Sequence, residues 1–413
     1  MIRIGIVGCG RILAAHLRGY RLLREAGVDD FQITALCARK EDDARMYIRR
    51  GAGPPQRPAV SDIPGDPLAI DDEYLSDFQP DVPVEVYTDY REMIARAPID
   101  AVNDFTTHAL HHQVAQHSFG QGKHLLSQKP LAITMAAGRR MCDEAEARDL
   151  VFGVFENFRF APQTRQLRWA FSEGPCGRAQ MVLLGYVGVW WAPNKIVAEA
   201  PWRHVRNEAG GISLDLGVHF FDQIAHVAGP ISTVSAQTAI LEPRRVQLDR
   251  DGRTVRAIDC DADDTFYASF TTAQGTSGTM FASWGGHGAP TLAGNGVVYY
   301  GDRGSVTGSQ VTFDGGETAD LGTLYRGGAN TGEQQRLFPL GLEDSFALSQ
   351  LDWLDAVRRR RPPETSGREG LADLAAAFAI LESAQAGRRV EVAEVQSGEL
   401  REYQRPIDAA FGL

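Results

Sequence analysis

Three side chains from two distant segments of the sequence have the types needed to move a proton on a substrate hydroxyl group. Asp215 and His219 stand four residues apart, so they share one face if their segment is helical, and a carboxylate beside an imidazole gives a proton donor and acceptor near neutral pH. Lys129 follows a predicted strand and precedes Pro130, and its ammonium group could polarise or protonate a reacting oxygen. Each feature also has an ordinary structural explanation, namely a capped helix with a satisfied histidine and a solvated surface lysine.

The first residues of the chain predict an element that binds a nucleotide cofactor. A buried-strand pattern from Ile2 to Val7 runs into Gly8-Cys9-Gly10-Arg11-Ile12 and then into a helical pattern. In such an element Gly8 permits a tight turn, Gly10 lets the backbone approach a pyrophosphate, and the phosphate charge lies at the helix N-terminus. Because Leu13 replaces the third glycine of the usual G-x-G-x-x-G pattern, an ordinary structural turn is the alternative.

The elements that must position these residues predict an α/β fold with two domains. In residues 1–155, strands at 33–38, 84–88, 99–105, 124–127 and 151–155 alternate with helices at 41–50, 89–97, 109–121 and 133–149. This alternation predicts a doubly wound parallel sheet of the Rossmann type, with Lys129 at the carboxyl edge where such sheets bind ligands. The Pro-, Asp- and Gly-rich residues 51–83 are interpreted as a surface insertion.

Residues 156–413 are predicted to form an α/β domain for substrate binding and oligomerisation. Long strands at 179–188, 233–241, 264–272, 276–284 and 296–300 indicate a large, mostly antiparallel open sheet. One helix is expected at 212–227, and two closing helices at 346–360 and 368–386.

Taken in order, the segments Gly8 to Ile12, Gln128-Lys129-Pro130 and Gly210-Gly211 with Asp215 and His219 resemble the Gfo/Idh/MocA oxidoreductases over nearly the whole chain. The resemblance implies an NAD- or NADP-dependent enzyme that transfers a hydride to or from a secondary alcohol or ketone of a sugar, cyclitol or related polyol. We expect His219 to act as the acid/base, Lys129 to hold and polarise the same oxygen, and Asp215 to orient His219 or a neighbouring hydroxyl. Lys129 and His219 could exchange roles, and no metal is required.

The resemblance also implies the cofactor contacts. The family's T-P-x-x-x-H turn corresponds to residues 106–111, where Thr107 replaces a common proline, and Gln128 replaces the glutamate of the family's E-K-P segment. The expected cofactor-binding residues are Gly8, Gly10, Arg11, Ile12, Arg39, Lys40, Thr106, His108, His111, Gln128 and Lys129.

The second strand ends in Arg39-Lys40, where an NAD-binding domain would place an acidic residue against the ribose 2′-hydroxyl group. These two cations suit a 2′-phosphate, so we favour NADP over NAD. The acidic residues at 41–43 could reverse the local field, and both cations could simply be solvated at the start of a helix.

Aromatic and arginine side chains near these segments predict a pocket for a polyhydroxylated ring. The expected substrate-binding residues are Lys129, Asn157, Arg159, Trp202, Arg203, Asp215 and His219, with Trp190-Trp191 nearby in the sequence. Core packing is the alternative for the tryptophans. Two other functions are compatible with the pattern: a sugar-sensing regulator that has lost catalysis, and a glycosidase that oxidises and reduces its nicotinamide within one cycle.

The composition limits the kinds of molecule that the protein is expected to bind. A net charge of −11 disfavours a nucleic-acid-binding surface, and no apolar run reaches the about 20 residues of a membrane helix. The five cysteines are scattered without zinc-site spacing, and Met1 leads into a strand rather than a signal peptide, so we expect a cytoplasmic protein with reduced thiols. Because the open sheet of a monomer would expose apolar surface, a homodimer or homotetramer is expected.

Overall fold

The computed structural model describes residues 1–61, 63–188, 194–249, 251–288 and 296–413. These residues form two compact units, each assembled from separate stretches of chain. The first unit comprises residues 1–132, 137–160 and 338–370, and the second comprises 133–136, 161–337 and 371–413. The sequence-based division placed one boundary at residue 155, whereas the first unit also contains a later segment near residue 350.

The first unit is built on a six-stranded parallel sheet. Its strands are β1 (Ile2–Val7), β2 (Phe31–Cys37), β3 (Glu85–Tyr87), β4 (Ala101–Asp104), β5 (His124–Gln128) and β6 (Phe152–Phe155). Their order is β3-β2-β1-β4-β5-β6, which confirms the predicted doubly wound sheet. The helices between the strands are α1 (Leu13–Glu25), α2 (Glu41–Arg45), α3 (Tyr90–Arg96), α4 (His108–Gly120) and α5 (Met135–Ala147).

Residues 51–83 are irregular, with short 3₁₀ turns at Pro67–Ala69 and Leu75–Asp77. The end of this segment is buried, because Leu75 joins the hydrophobic core of the sheet. The buried Gln79 side chain continues the hydrogen bonding of β2: its amide nitrogen donates to the carbonyl of Ile33, and its amide oxygen accepts from the backbone nitrogen of Ile33. The segment is therefore anchored in the core and is not wholly superficial.

The second unit contains a nine-stranded sheet. Its elements begin with α6 (Pro162–Ser172), β7 (Ala179–Val187), α7 (Ile212–Asp215), α8 (Gly217–Ala228), β8 (Ile231–Ala239), β9 (Arg244–Leu248), β10 (Thr254–Asp259), β11 (Thr265–Thr272) and β12 (Ser277–Ser283). They continue with β13 (Val297–Gly301), β14 (Gly304–Thr307), β15 (Gln310–Phe313), β16 (Thr318–Asp320), α9 (Leu321–Gly328) and α10 (Thr331–Leu337). After α11 (Ser345–Arg359), which belongs to the first unit, the chain ends with α12 (Gly367–Ala386), β17 (Val390–Glu391), α13 (Val392–Ser397) and α14 (Arg405–Phe411).

The strand order of this sheet is β16-β15-β14-β13-β7-β12-β11-β8-β17. Only the β7–β12 pair among these described strands is parallel, which confirms a large, mostly antiparallel sheet. β9 and β10 form a separate hairpin. The described ranges contain no helix whose length and apolar character would let it span a membrane.

The helix predicted over 212–227 is wrong as a single element. The structure ends α7 at Asp215, has Leu216 between the helices, and begins α8 at Gly217. Glycine is a poor helix former, so Gly217 weakens the helix at this point. A Cβ atom there would make only an ordinary van der Waals contact with Ile380 of α12, at 3.4 Å, so packing does not require the glycine.

Candidate active site

The glycine turn after β1 is held between the ends of two neighbouring strands. The backbone nitrogen of Gly8 donates to the carbonyl of Cys37 at the end of β2 (2.9 Å), and the nitrogen of Phe105, just beyond β4, donates to Val7 (2.8 Å). Gly8 has a φ of +98°, and a Cβ atom there would lie 2.6 Å from the carbonyl group of Phe105. Only glycine meets both conditions without strain, so Gly8 is required by the turn itself.

Gly10 is different, because a Cβ atom there would contact nothing within 4 Å. It is exposed, and it stands just before α1, whose first residue Leu13 is fully buried in the core. A glycine that packing does not require, beside the N-terminus of a helix that no side chain caps, fits a turn against which a pyrophosphate is placed. The turn formed by Gly8, Gly10, Arg11 and Ile12, here called the cofactor cradle, therefore has a geometry that fits the pyrophosphate of a dinucleotide.

The turn after β4 is ordered by a buried carboxylate. Asp104 accepts hydrogen bonds from the backbone nitrogen and the hydroxyl group of Thr106 at 3.0 and 2.6 Å, and burial raises the pKa of Asp104. His111 in α4 is fully buried, with Nε2 3.3 Å from the carbonyl of Thr106 and Nδ1 3.1 Å from the carbonyl of Pro130. His111 thus ties the Thr106 turn to the segment after Lys129. His108 is buried at the start of the same helix.

Lys129 follows β5 at the carboxyl edge of the sheet and is half-buried, and its peptide bond to Pro130 is cis. The backbone nitrogen of Lys129 donates to Oε1 of Gln128 (2.9 Å), and Nε2 of Gln128 lies 3.1 Å from Nε2 of His16. Burial lowers the pKa of His16, so its ring is neutral and can accept from the amide.

Two predicted substrate residues follow β6 in the first unit. Asn157 is half-buried just beyond the strand. The guanidinium group of Arg159 is buried and donates to the carbonyl of Glu364 and to the carboxylate of Glu369, both at 2.9 Å. These bonds connect Arg159 to the loop before α12 and to the first turn of that helix, and its contact with substrate stays a prediction.

In the second unit, Gly210 and Gly211 let three chain segments meet at α7. A Cβ atom at Gly210 would lie 2.5 Å from the carbonyl oxygen of Trp202, and one at Gly211, where φ is +113°, would overlap the carboxylate of Asp263. The glycine pair thus brings the Trp202-Arg203 backbone against the start of the helix that carries Asp215.

Asp263 holds the N-terminus of α7. Its Oδ2 accepts from the backbone nitrogen and the hydroxyl group of Ser213 at 3.1 and 2.7 Å, and its carbonyl accepts from Ile212 (2.9 Å). Burial raises the pKa of Asp263 to about 7. The sequence pattern did not predict a role for Asp263 or His16. The only signal for Asp263 was the acidic pair at 263–264 before a strand, and nothing distinguished His16 from the other residues of α1.

Asp215 is paired with an arginine that the sequence had assigned only to substrate. Nε of Arg203 lies 3.0 Å from Oδ2 of Asp215, with one fifth and one tenth of the two side chains exposed, and the guanidinium group also lies over the ring of Trp202 at 4.5 Å. His219 is buried in the first turn of α8. Arg203, Asp215 and His219 thus belong to one unit, whereas Lys129 belongs to the other, and Trp190-Trp191 lie outside the described residues.

The sheet order, the glycine turn and the open helix N-terminus define the first unit as a dinucleotide-binding Rossmann domain, the class found in nicotinamide-dependent oxidoreductases. Comparison with family models supports this class in both parts of the chain. Residues 2–156 match an oxidoreductase family model for an NAD-binding Rossmann fold, and residues 173–392 match the model for the C-terminal α/β domain of the same family. The chain belongs to the Gfo/Idh/MocA oxidoreductase family, which confirms the resemblance noted from its motifs.

Relatives within this family include enzymes that act on sugars. The chain is 27% identical over 308 residues to 1,5-anhydro-D-fructose reductase of Ensifer adhaerens, covering 74% of this chain and 83% of that one. It is 26% identical over 336 residues to levoglucosan dehydrogenase of Pseudarthrobacter phenanthrenivorans, covering 75% and 84%. A solved structure of levoglucosan dehydrogenase in complex with NADH and L-sorbose shares the fold, with a TM-score of 0.72, 21% identity and coverage of 96% and 100%.

Proposed function

We propose that this oxidoreductase transfers a hydride between a nicotinamide cofactor and a secondary alcohol or ketone of a sugar, cyclitol or related polyol. The observation that most directly supports this proposal is the position of Lys129 relative to the cofactor cradle. Lys129 follows β5, and the glycine turn follows β1, with only β4 between them. At about 4.8 Å per strand, Lys129 stands roughly 10 Å from the turn along one edge, which is within the length of a bound dinucleotide.

When bound, the nicotinamide would supply the hydride acceptor or donor. The chain's own residues would handle the oxygen and its proton. We assign Lys129 to hold and polarise the reacting oxygen, and His219 to accept or donate the hydroxyl proton. The ion pair with Arg203 holds the carboxylate of Asp215 in place, and we assign Asp215 to orient His219 or to accept a hydrogen bond from a neighbouring substrate hydroxyl.

We also propose that the enzyme prefers NADP. Arg39 and Lys40 are exposed directly after β2, where the adenosine ribose of a Rossmann-bound cofactor lies. Glu41, one of the acidic residues that could have reversed their field, forms an ion pair with Arg45 one helical turn later. Two exposed cations beside a carboxylate that is ion-paired with another arginine favour the binding of a 2′-phosphate.

The sugar or polyol class is supported by the named relatives and by the stacked Trp202-Arg203 pair, because an aromatic face and a fork of donors suit a ring with several hydroxyl groups. We further propose a homodimer or homotetramer that covers the open face of the large sheet. Apolar side chains on that face, Met181, Leu183, Tyr267 and Tyr300, are 38–58% exposed. Five free cysteines support a cytoplasmic location.

The test is a screen of sugars and cyclitols with NAD and NADP separately, followed by absorbance at 340 nm, together with Lys129→Met. We expect the variant to lose about 10²- to 10⁴-fold in kcat while it binds NADPH within about threefold of the wild type, because the ammonium acts on the substrate oxygen. The control is Lys123→Met at the opposite end of β5, where the ammonium donates to the carbonyl of Ile99 (2.7 Å). Near-normal turnover by Lys129→Met would refute the assignment.

The same screen separates the other two functions. A sugar-sensing regulator would bind ligands without turnover on any of them. A glycosidase would hydrolyse a glycoside with no net change at 340 nm.

A further inference from the structure

Residues 51–83 have no role in the proposed reaction, yet they are bonded to the glycine turn in both directions. The guanidinium group of Arg57 donates to the carbonyl of Cys9 (3.2 Å), and that of Arg11 donates to the carbonyl of Pro58 (2.6 Å). The hydroxyl group of Tyr47 donates to the carbonyl of Gly10 (2.9 Å). The segment and the turn therefore form a reciprocal clasp.

Further hydrogen bonds attach the segment next to Arg57 to the rest of the first unit, so the position of Arg57 does not depend on one bond. The amide of the neighbouring Gln56 donates to the carbonyl of Glu73 (2.7 Å). The carboxylate of Glu73 is in turn paired with Arg21 of α1 by two bonds, at 2.8 and 2.9 Å. The segment is thus tied to the same helix whose N-terminus faces the cofactor cradle.

The charge of Arg57 is paired with Asp43, the last of the acidic residues that follow Arg39-Lys40. Each side chain of this pair is less than one third exposed. Both charges lie close to the turn: burial raises the pKa of the Cys9 thiol, and Asp43 and Arg57 act on that pKa in opposite directions. Without Arg57, the carboxylate of Asp43 would stand uncompensated beside the glycine turn.

We infer that residues 51–83 are part of the cofactor site and that Arg57 is a specificity-determining residue for the 2′-phosphate of NADP. The pairing with Arg57 compensates the negative charge of Asp43, which would otherwise repel a phosphate at the end of β2 and oppose the attraction by Arg39 and Lys40. The bond to Cys9 holds the turn for any dinucleotide. This inference rests on the proposed preference for NADP.

The test measures the Kd values of NADPH and NADH by fluorescence titration in the absence of substrate, because the two probes differ only in the 2′-phosphate. In Arg57→Met we expect the ratio Kd(NADH)/Kd(NADPH) to fall at least tenfold. In the double variant Arg57→Met/Asp43→Asn the ratio should return to within threefold of the wild-type value. The matched control is Arg50→Met, which breaks pairs with Asp72 and Asp77 in the same region and should leave the ratio unchanged.

Three results would overturn the inference. An unchanged ratio in Arg57→Met, with both Kd values raised equally or not at all, would leave the clasp a purely structural role. A ratio that falls in Arg57→Met but is not restored in the double variant would exclude the electrostatic role of Asp43. A wild-type protein that binds NADH as tightly as NADPH would refute the proposed cofactor preference as well, whereas the first two results leave that preference intact.

Discussion

The two glycines of the turn after β1 are expected to respond in opposite ways to the same substitution. At Gly10 an added methyl group meets no atom within 4 Å, and φ there lies outside the left-handed region. Gly10→Ala should therefore leave the folded protein unstrained and raise the free energy of unfolding by 0 to about 1 kcal/mol, because alanine restricts the unfolded chain. The space that the methyl group fills is the space through which a pyrophosphate would approach the backbone.

We expect Gly10→Ala to weaken the binding of the cofactor. A hydrogen bond between a backbone nitrogen and a charged group contributes about 1.5–3 kcal/mol, and losing one such bond weakens binding by about 10- to 100-fold. We expect the Kd values of NADH and NADPH to rise by that factor together, because the methyl group is remote from the 2′-position. Fluorescence titration gives the Kd values, and chemical denaturation followed by circular dichroism gives the stability.

Gly8→Ala is the matched comparison. Its methyl group would lie 2.6 Å from the carbonyl group of Phe105, in a backbone conformation that alone costs about 1–2 kcal/mol for a residue with a Cβ atom. We expect a loss of at least about 2 kcal/mol of stability. If Gly10→Ala destabilises the protein as much as Gly8→Ala and binds both cofactors normally, the turn is only structural and the argument for its role fails.

Two further predictions concern the second unit. Arg203→Gln should lower kcat/KM at least about tenfold and stability by about 1–2 kcal/mol, because it removes the ion pair that Arg203 forms with the largely buried carboxylate of Asp215. Arg203→Lys should recover part of both, and a kcat/KM equal to that of the wild type in Arg203→Gln would exclude a positioning role. Asp263→Asn tests a pH dependence of stability. The pKa of Asp263 in the folded protein, about 7, lies above its ordinary value of 3.8. The stability that this group contributes is therefore complete below about pH 3.8 and is lost as the pH rises to 7. At 1.36 kcal/mol per pKa unit, the unfolding free energy of the wild type should fall by about 4 kcal/mol relative to Asp263→Asn between pH 4 and pH 8, and a difference independent of pH would contradict the burial argument.

The parts of the fold with strong local patterns could be predicted. The run from Ile2 to Val7 followed by Gly8 and Gly10 specifies a buried strand and a turn by itself, since both depend on residues that are neighbours in the chain. The break at Leu216 was missed, because the helical pattern continues on both sides of this residue and predicts one helix. Short strands such as β14 and β15 were missed for a different reason, since four residues carry too little periodicity.

The sequence by itself determined which chemical groups are available: the glycine turn, the lysine before a proline, and the aspartate and histidine four residues apart. Only the tertiary structure decided their partners. It paired Asp215 with Arg203, set Gln128 against His16 at a separation of 112 residues, and placed Arg57 on the carbonyl of Cys9. Such contacts follow from strand order and chain crossovers, and these are fixed by burying the whole core together rather than by any local run of residues.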